Sequence, residues 1–339
     1  MVTMKKLSMA LVGAVFSALS SGLEAAHAHG LHLPSDSGHS HSDSGHSPSS
    51  VDPRLGLDSI FYGEAQPLGN GFMRTWVKLN EDRTPSDIGI SFTEAALFGL
   101  PEEEDDFGEY PLKLTLLDGI GNSTFEYELL FPKEAEATPF THMSLNYNPH
   151  GHAPAGITNV PHFDFHFNML TPEERHAIVA DDLDAFLEKA YKTPPAELIP
   201  EDYVAVPNAA EPRMGVHYAD LTSDELSETP WKKTFIYGFY DGQMAFWEPM
   251  IANSFLETKP NTTTAIKLPA SYAKSGYYPS AYSVNYGDGE YSVSLNGLAF
   301  RSSSSTSIPE PSSTLAIFAL GAFGTVSLLK QRQKKDYLR

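Results

Sequence analysis

The 339-residue chain has no cysteine, and basic side chains are scarce, with 23 Lys and Arg against 43 Asp and Glu. Without thiols there are no disulfides, even in an oxidising compartment, and no thiolate metal site. Stability must come from core burial, or from ions held by nitrogen and oxygen. The formal net charge is −20, and without residues 1–28 and 312–339 the remainder carries 16 basic and 41 acidic side chains, a net of −25. A field of that sign disfavours nucleic acid and anionic lipid headgroups and attracts cations. Also lacking are a Gly-x-Ser-x-Gly elbow, a P-loop and a dinucleotide fingerprint, so those hydrolase and nucleotide-binding classes have no starting signal.

What is present begins at the two ends. Lys5 and Lys6 precede an apolar run over 7–23, and Ala26-His27-Ala28 supplies the small-x-small pattern that signal peptidase reads. Residues 1–28 therefore read as a secretory signal, the alternative being an uncleaved N-terminal anchor. At the other end a Ser/Thr-rich spacer over 302–307 leads into Pro309-Glu310-Pro311. An apolar segment over 315–329 and a basic cluster of Lys330, Arg332, Lys334 and Lys335 follow. Fifteen residues are marginal for crossing roughly 30 Å of hydrocarbon, but the basic cluster would hold the far end in the cytoplasm. Alone, this is a transmembrane tail anchor. In this order the three parts resemble the PEP-CTERM sorting signal. That resemblance implies an exosortase-like membrane protease that recognises Pro309, Glu310 and Pro311 and removes the helix and basic residues. The protein would be membrane-anchored transiently, then delivered to the cell surface or an exopolysaccharide matrix.

Between the ends, residues 29–54 are a Gly, Ser, Asp and His tract with almost no apolar side chains, which cannot offset its ordering entropy. His29, His32, His39, His41 and His46 make it either a solvated linker or a loose metal-capturing segment. Residues 55–301 have globular composition and read as one domain. Apolar stretches bounded by turn residues predict strands near 71–79, 87–93, 112–117, 124–131, 142–147, 160–168, 234–239 and 243–249. Asp241-Gly242 predicts a tight hairpin, and the Tyr- and Gly-rich residues 271–300 are candidates for further strands. Helical periodicity is confined to 171–191, with Thr171 as N-cap, Pro172 at N1 and Glu174 at N3. The expected fold class is α+β, a mainly antiparallel sheet or barrel-like body with a short helical insertion.

The densest chemical signal is Asn148-Pro149-His150-Gly151-His152, followed by Pro161-His162-Phe163-Asp164-Phe165-His166-Phe167. Side chains alternate along a strand, so His162, Asp164 and His166 share one face and the three Phe residues the other. Residues two apart are about 6.6 Å apart along a strand, so these three cannot all reach one ion without a bulge or ligands from elsewhere. His150 and His152, on a Gly- and Pro-containing turn just upstream, can supply those ligands. Imidazole with carboxylate suits zinc, iron, manganese, copper or nickel, and the sequence does not choose among them. His217, in Met214-Gly215-Val216-His217-Tyr218, and Glu248, in Phe246-Trp247-Glu248-Pro249-Met250, are lone polar groups among apolar neighbours. Each is a candidate further ligand or general base, or a satisfied structural residue. The acidic run Glu102, Glu103, Glu104, Asp105, Asp106 lacks calcium-ligand spacing and reads as a solvated loop.

The run 146–167, with 214–218, 235–242 and Glu248-Pro249-Met250, resembles an uncharacterised family of exported bacterial proteins over most of residues 55–260. The resemblance implies a β-rich, oligomeric body with a histidine cluster but no settled activity. Where that family has Trp and Tyr, this chain has Tyr147 and Asn168. Two functional classes remain: a metal-binding envelope or matrix protein, and a metalloenzyme whose His/Asp-coordinated ion keeps an open position. A closed coordination shell would favour the first, and an open one beside His217 or Glu248 the second.

Overall fold

The computed structural model describes residues 59–303 except 104, 106–110, 118–121 and 155, so the signal, linker and sorting-tail expectations lie outside the described residues. Among the described residues no helix is long and apolar enough to cross a membrane. The strands are β1 (Ser59–Tyr62), β2 (Gln66–Leu68), β3 (Gly71–Leu79), β4 (Pro85–Thr93), β5 (Leu112–Thr115), β6 (Ser123–Leu130), β7 (His142–Asn148), β8 (His162–Asn168) and β9 (Tyr203–Glu211). They continue with β10 (Gly215–Asp220), β11 (Lys233–Tyr240), β12 (Gln243–Ala252), β13 (Asn261–Ala265), β14 (Gly276–Tyr278), β15 (Ala281–Gly287), β16 (Glu290–Asn296) and β17 (Ala299–Arg301).

One seven-stranded sheet runs β1-β3-β4-β16-β15-β13, with β2 added on β3, and an eight-stranded sheet runs β5-β6-β7-β8-β12-β11-β10-β9. The second is entirely antiparallel and curls into a half-barrel. β14 and β17 pair separately. The alternation read from the sequence explains why the sheets join. Phe163, Phe165 and Phe167 of β8 enter one continuous core with Ile88, Ile90 and Phe92 of β4 and Val293 and Leu295 of β16. Phe92 lies 6.2 Å from Phe163, 6.1 Å from Phe165 and 5.3 Å from Tyr291, ring centre to ring centre. Each such ring contributes about 1.5–3 kcal/mol by leaving water.

All eight predicted strands are present, and the Asp241-Gly242 turn has φ of 50° and 76°, the positive pair that a type I′ hairpin needs. The sequence missed the short β1, β2 and β13, and also β9 and β10, where Pro207, Asn208 and several Ala weaken the strand signal and a register shift between Val216 and Tyr218 breaks the alternation. The helical insertion needs correction. It is two short helices, α1 (Pro172–His176) and α2 (Leu183–Ala190), separated by irregular chain, and the molecule is predominantly β, so the α+β label fits only loosely. The capping box of α1 is as expected: the Glu174 amide donates to Thr171 Oγ1 at 3.2 Å, and the Thr171 amide donates to the Glu174 carboxylate at 2.8 Å.

Cross-strand register sets what the second face of the half-barrel carries. Glu126, Asn146, Asp164, Met250 and Thr234 form one row across β6, β7, β8, β12 and β11. Four residues further along β8 another row of the same face passes through His142, Asn168, Phe246, Gly238 and His217, from β7 to β10, and Ser144 and His166 lie between the two rows. β7 and β8 are buried on both faces, so this polar array is enclosed.

At one end of it His142 is fully buried beside Glu128, 3.8 Å away, with Arg175, His176 and Arg213 also near. Burial first, then the Arg175 charge, hold its imidazole down to about 4, against an ordinary 6.5. The unfolded chain therefore takes up a proton near pH 6.5 that the folded chain refuses until about pH 4, so stability falls as pH drops through that window. Two and a half units correspond to about 3 kcal/mol. Denaturation midpoints measured from pH 7 to pH 4 should fall less for His142→Asn than for the parent; an equal slope would remove His142 as the cause.

Candidate metal centre

The predicted constellation divides into two triads. In the first, His162 Nε2 lies 3.0 Å from His152 Nε2 and 3.1 Å from Asp164 Oδ1, and His152 Nε2 is 3.5 Å from Asp164 Oδ2. In the second, His166 Nε2 lies 3.5 Å from Glu248 Oε1 and His217 Nε2 is 3.8 Å from Glu248 Oε2. Within each triad the three ligand atoms all lie within 4.8 Å of one another. Around a tetrahedral ion with bonds of 2.0–2.1 Å, ligand atoms sit about 3.3 Å apart. Both triads approach that spacing, the first more closely.

His150 is on the exposed turn, near enough to Glu103 to act on its charge, and is in neither triad. His152 reaches the site because the chain turns back on itself. The His152 amide donates to the Thr158 carbonyl at 3.2 Å and Thr158 Oγ1 returns a bond to the His152 carbonyl at 3.0 Å. Gly151, at φ +68°, makes the turn. His166 falls in a different triad from its strand neighbours His162 and Asp164, so the five residues expected as one ligand set are not brought together. Its partners come from β10 and β12.

Tautomers are fixed by the backbone. His162 Nδ1 donates to the Val160 carbonyl at 2.7 Å and His152 Nδ1 to the Ala153 carbonyl at 2.7 Å. In neutral imidazoles both Nε2 atoms then carry lone pairs, and these face each other and a carboxylate. A proton or a cation between them would relieve that opposition. His217 Nδ1 likewise donates to the Ala209 carbonyl at 2.7 Å, turning its Nε2 toward Glu248. Such outer hydrogen bonds orient imidazole for metal. Edge-on rings hold the orientation: Trp231 against His162 at 5.4 Å, and Phe246 against His166 at 4.7 Å and His217 at 5.3 Å. Trp231 was not legible as part of the site. Nor was Asn148, which donates to Asp164 Oδ2 at 2.7 Å, although its place two residues before His150 was visible.

Electrostatics separates the triads. Burial acts to raise the Asp164 carboxyl, but His162 and His152 beside it pull it well below the usual carboxylate range. Glu248 moves the other way, pushed well above that range by burial and by the Asp164 charge. Burial holds His166 down to about 3 and also lowers His217. Neutral imidazole is the ligating form.

Beside both triads is a cavity of about 170 Å³, into which His152 and Asp164 of the first, and His217 of the second, project. Its other walls are mainly apolar, among them Ile157, Met214, Leu226, Ile236 and Met250. A cavity near 150 Å³ holds a benzene-sized molecule, so this one admits about one ring.

Residues 80–147 match the family model described as hypothetical protein TTHB210. That segment covers all of β4 through most of β7 and ends before both triads and before the 161–167 signature. No curated protein and no solved structure matches the chain. Residues 307–333 match the PEP-CTERM protein-sorting motif, which indicates an exported, surface-directed protein processed by exosortase-type sorting machinery.

Proposed function

We propose that this chain is an exported metal-binding protein of the cell envelope or extracellular matrix. Its first triad, His152, His162 and Asp164, holds a divalent transition-metal ion. The observation that carries the reading is the facing pair of Nε2 atoms 3.0 Å apart, each turned inward by a backbone carbonyl on the opposite ring nitrogen, with a carboxylate closing the triangle. Two imidazoles and one carboxylate leave a tetrahedral ion one further position, and His152 and Asp164 line the cavity toward which that position would open. Zinc, iron, manganese, copper and nickel all accept this donor set. In this reading signal peptidase frees the N-terminus, the tail anchors the chain until the exosortase-like protease acts, and the body reaches the surface with its ion.

The open position also supports a second reading, a metalloenzyme acting on a substrate of about one ring in size, with His217 in the same cavity as a candidate base. The two readings separate on exchange at the ion. In the cobalt-substituted protein, a small anion such as acetohydroxamate should change the visible absorption if the position is open, and leave it unchanged if the shell is closed.

The parent test is metal content of the purified full chain, with His29, His32, His39, His41 and His46 replaced by Ser so that the tract contributes nothing. His162→Ala with Asp164→Asn should lower bound zinc by one equivalent per chain. Unchanged content, or a parent that takes up no metal because a proton bridges the imidazoles, would sink the proposal.

A further inference from the structure

The second triad has no role in that reading. His166 and Glu248 are each only 1% exposed, and His166 Nε2 and Glu248 Oε2, which face the triad, have no hydrogen-bond partner among the described residues. Buried polar atoms are almost always paired, and leaving two such atoms unpartnered in one small space is costly. Among the described residues of the same face, Asn146 Oδ1, Asn148 Oδ1 and His142 Nε2 also lack a partner, while Asn168 Nδ2 donates to Ser144 Oγ at 3.0 Å and to the His166 carbonyl at 3.2 Å.

The surrounding residues look arranged for a fourth participant. Gly238 lies between Phe246 and His217 in the cross-strand row, and a Cβ there would sit 2.0–2.4 Å from the Phe246 ring. Its missing side chain lets Phe246 lie flat enough to meet both imidazoles edge-on. Phe246 keeps water from the inner side, while His217, 16% exposed and lining the cavity, gives the one visible approach.

We infer that His166, His217 and Glu248 form a second, separate site for a divalent ion of borderline softness, zinc above all, beside the first. Two imidazoles and a carboxylate from three different strands are a donor set zinc accepts, and the absence of cysteine leaves no competing softer set. The ion would satisfy His166 Nε2 and Glu248 Oε2 at once. The inference stands on geometry independent of the first triad, so either site can fail without the other.

Cobalt titration of the full chain, again with the five tract histidines replaced by Ser, tests it, using visible absorption and equilibrium dialysis. The parent should bind two equivalents. Glu248→Gln, which keeps the shape of the side chain, and His217→Asn, at the partly exposed position, should each reduce this to one. His162→Ala with Asp164→Asn should also leave one, with a different absorption spectrum because the surviving ligands differ. Circular dichroism identifies any variant that fails to fold, and His217→Asn serves if Glu248→Gln does. A parent that binds only one ion, lost with His162→Ala and Asp164→Asn but retained by His217→Asn, would overturn the second site and leave the first standing. Two equivalents retained by both folded second-triad variants would overturn it equally.

Discussion

Replacing Arg175 with Met is expected to destabilise the protein by about 3–5 kcal/mol, a larger effect than at any surface position. The guanidinium is 1% exposed and bridges two carboxylates. It donates to both oxygens of Glu126, at 2.8 and 2.9 Å, and to Glu128 at 2.8 Å. Glu126 is itself 2% exposed and keeps only Arg213, at 3.1 Å, once Arg175 is gone. A buried carboxylate stripped of its bidentate partner retains the desolvation cost without the compensating attraction, which is why breaking such a pair costs more than the pair adds. The measurement is the denaturant midpoint at constant slope. Arg175→Met combined with Glu126→Gln should recover part of the loss, since the deeply buried carboxylate charge is then removed with its partner. A single variant within 1 kcal/mol of the parent would show that the network is not what holds α1 against the half-barrel.

That network marks where sequence reading ran out. Thr171, Pro172 and Glu174 announced the start of α1 correctly, because capping is local chemistry written within four residues. Nothing local announced that Arg175, one residue on, would turn inward to carboxylates 47 and 49 positions earlier. Glu126 and Glu128 alternate with Phe125, Tyr127 and Leu129 along β6, a pattern that an antiparallel strand with one solvated face would also show. The half-barrel encloses that face, so its polar residues are buried partners instead.

The candidate site was legible to the same degree and for the same reason. The His162, Asp164, His166 face followed from strand alternation, and the separation of two residues already argued against a single ion. How the set divides was not readable. His217 is 51 residues and Glu248 82 residues beyond His166, and only the strand order β8-β12-β11-β10 brings them to it. The sequence could nominate each as a lone polar group among apolar neighbours but could not pair them. His150 and His152 looked equivalent, two residues apart on one turn, until the bond of His152 to Thr158 directed one inward and left the other exposed.

Gly151→Ala should therefore damage the first triad more than its size suggests. The position has φ +68°, and a Cβ would lie 2.2 Å from the Thr158 carbonyl oxygen, 2.5 Å from the Val160 amide nitrogen and 2.7 Å from Asn159 Cα. All three are backbone atoms, so no side-chain rotation relieves the clash. Strain in the left-handed region and overpacking together cost about 2–4 kcal/mol. The functional consequence comes from which atoms must move. Thr158 holds the backbone of His152, and Val160 supplies the carbonyl that orients His162, so one added methyl displaces the supports of both imidazoles. Loss of such outer support costs roughly 10–100-fold in metal affinity. Gly156→Ala is the matched control. It also has positive φ, at +88°, but a Cβ there meets nothing within 4 Å, so backbone strain appears without displacement of either histidine. Zinc affinity at the first triad, by competition with a chromophoric chelator, should fall for Gly151→Ala and hold for Gly156→Ala. Equal affinities in the two variants would mean that the turn merely connects β7 to β8 and that His152 finds its place without it.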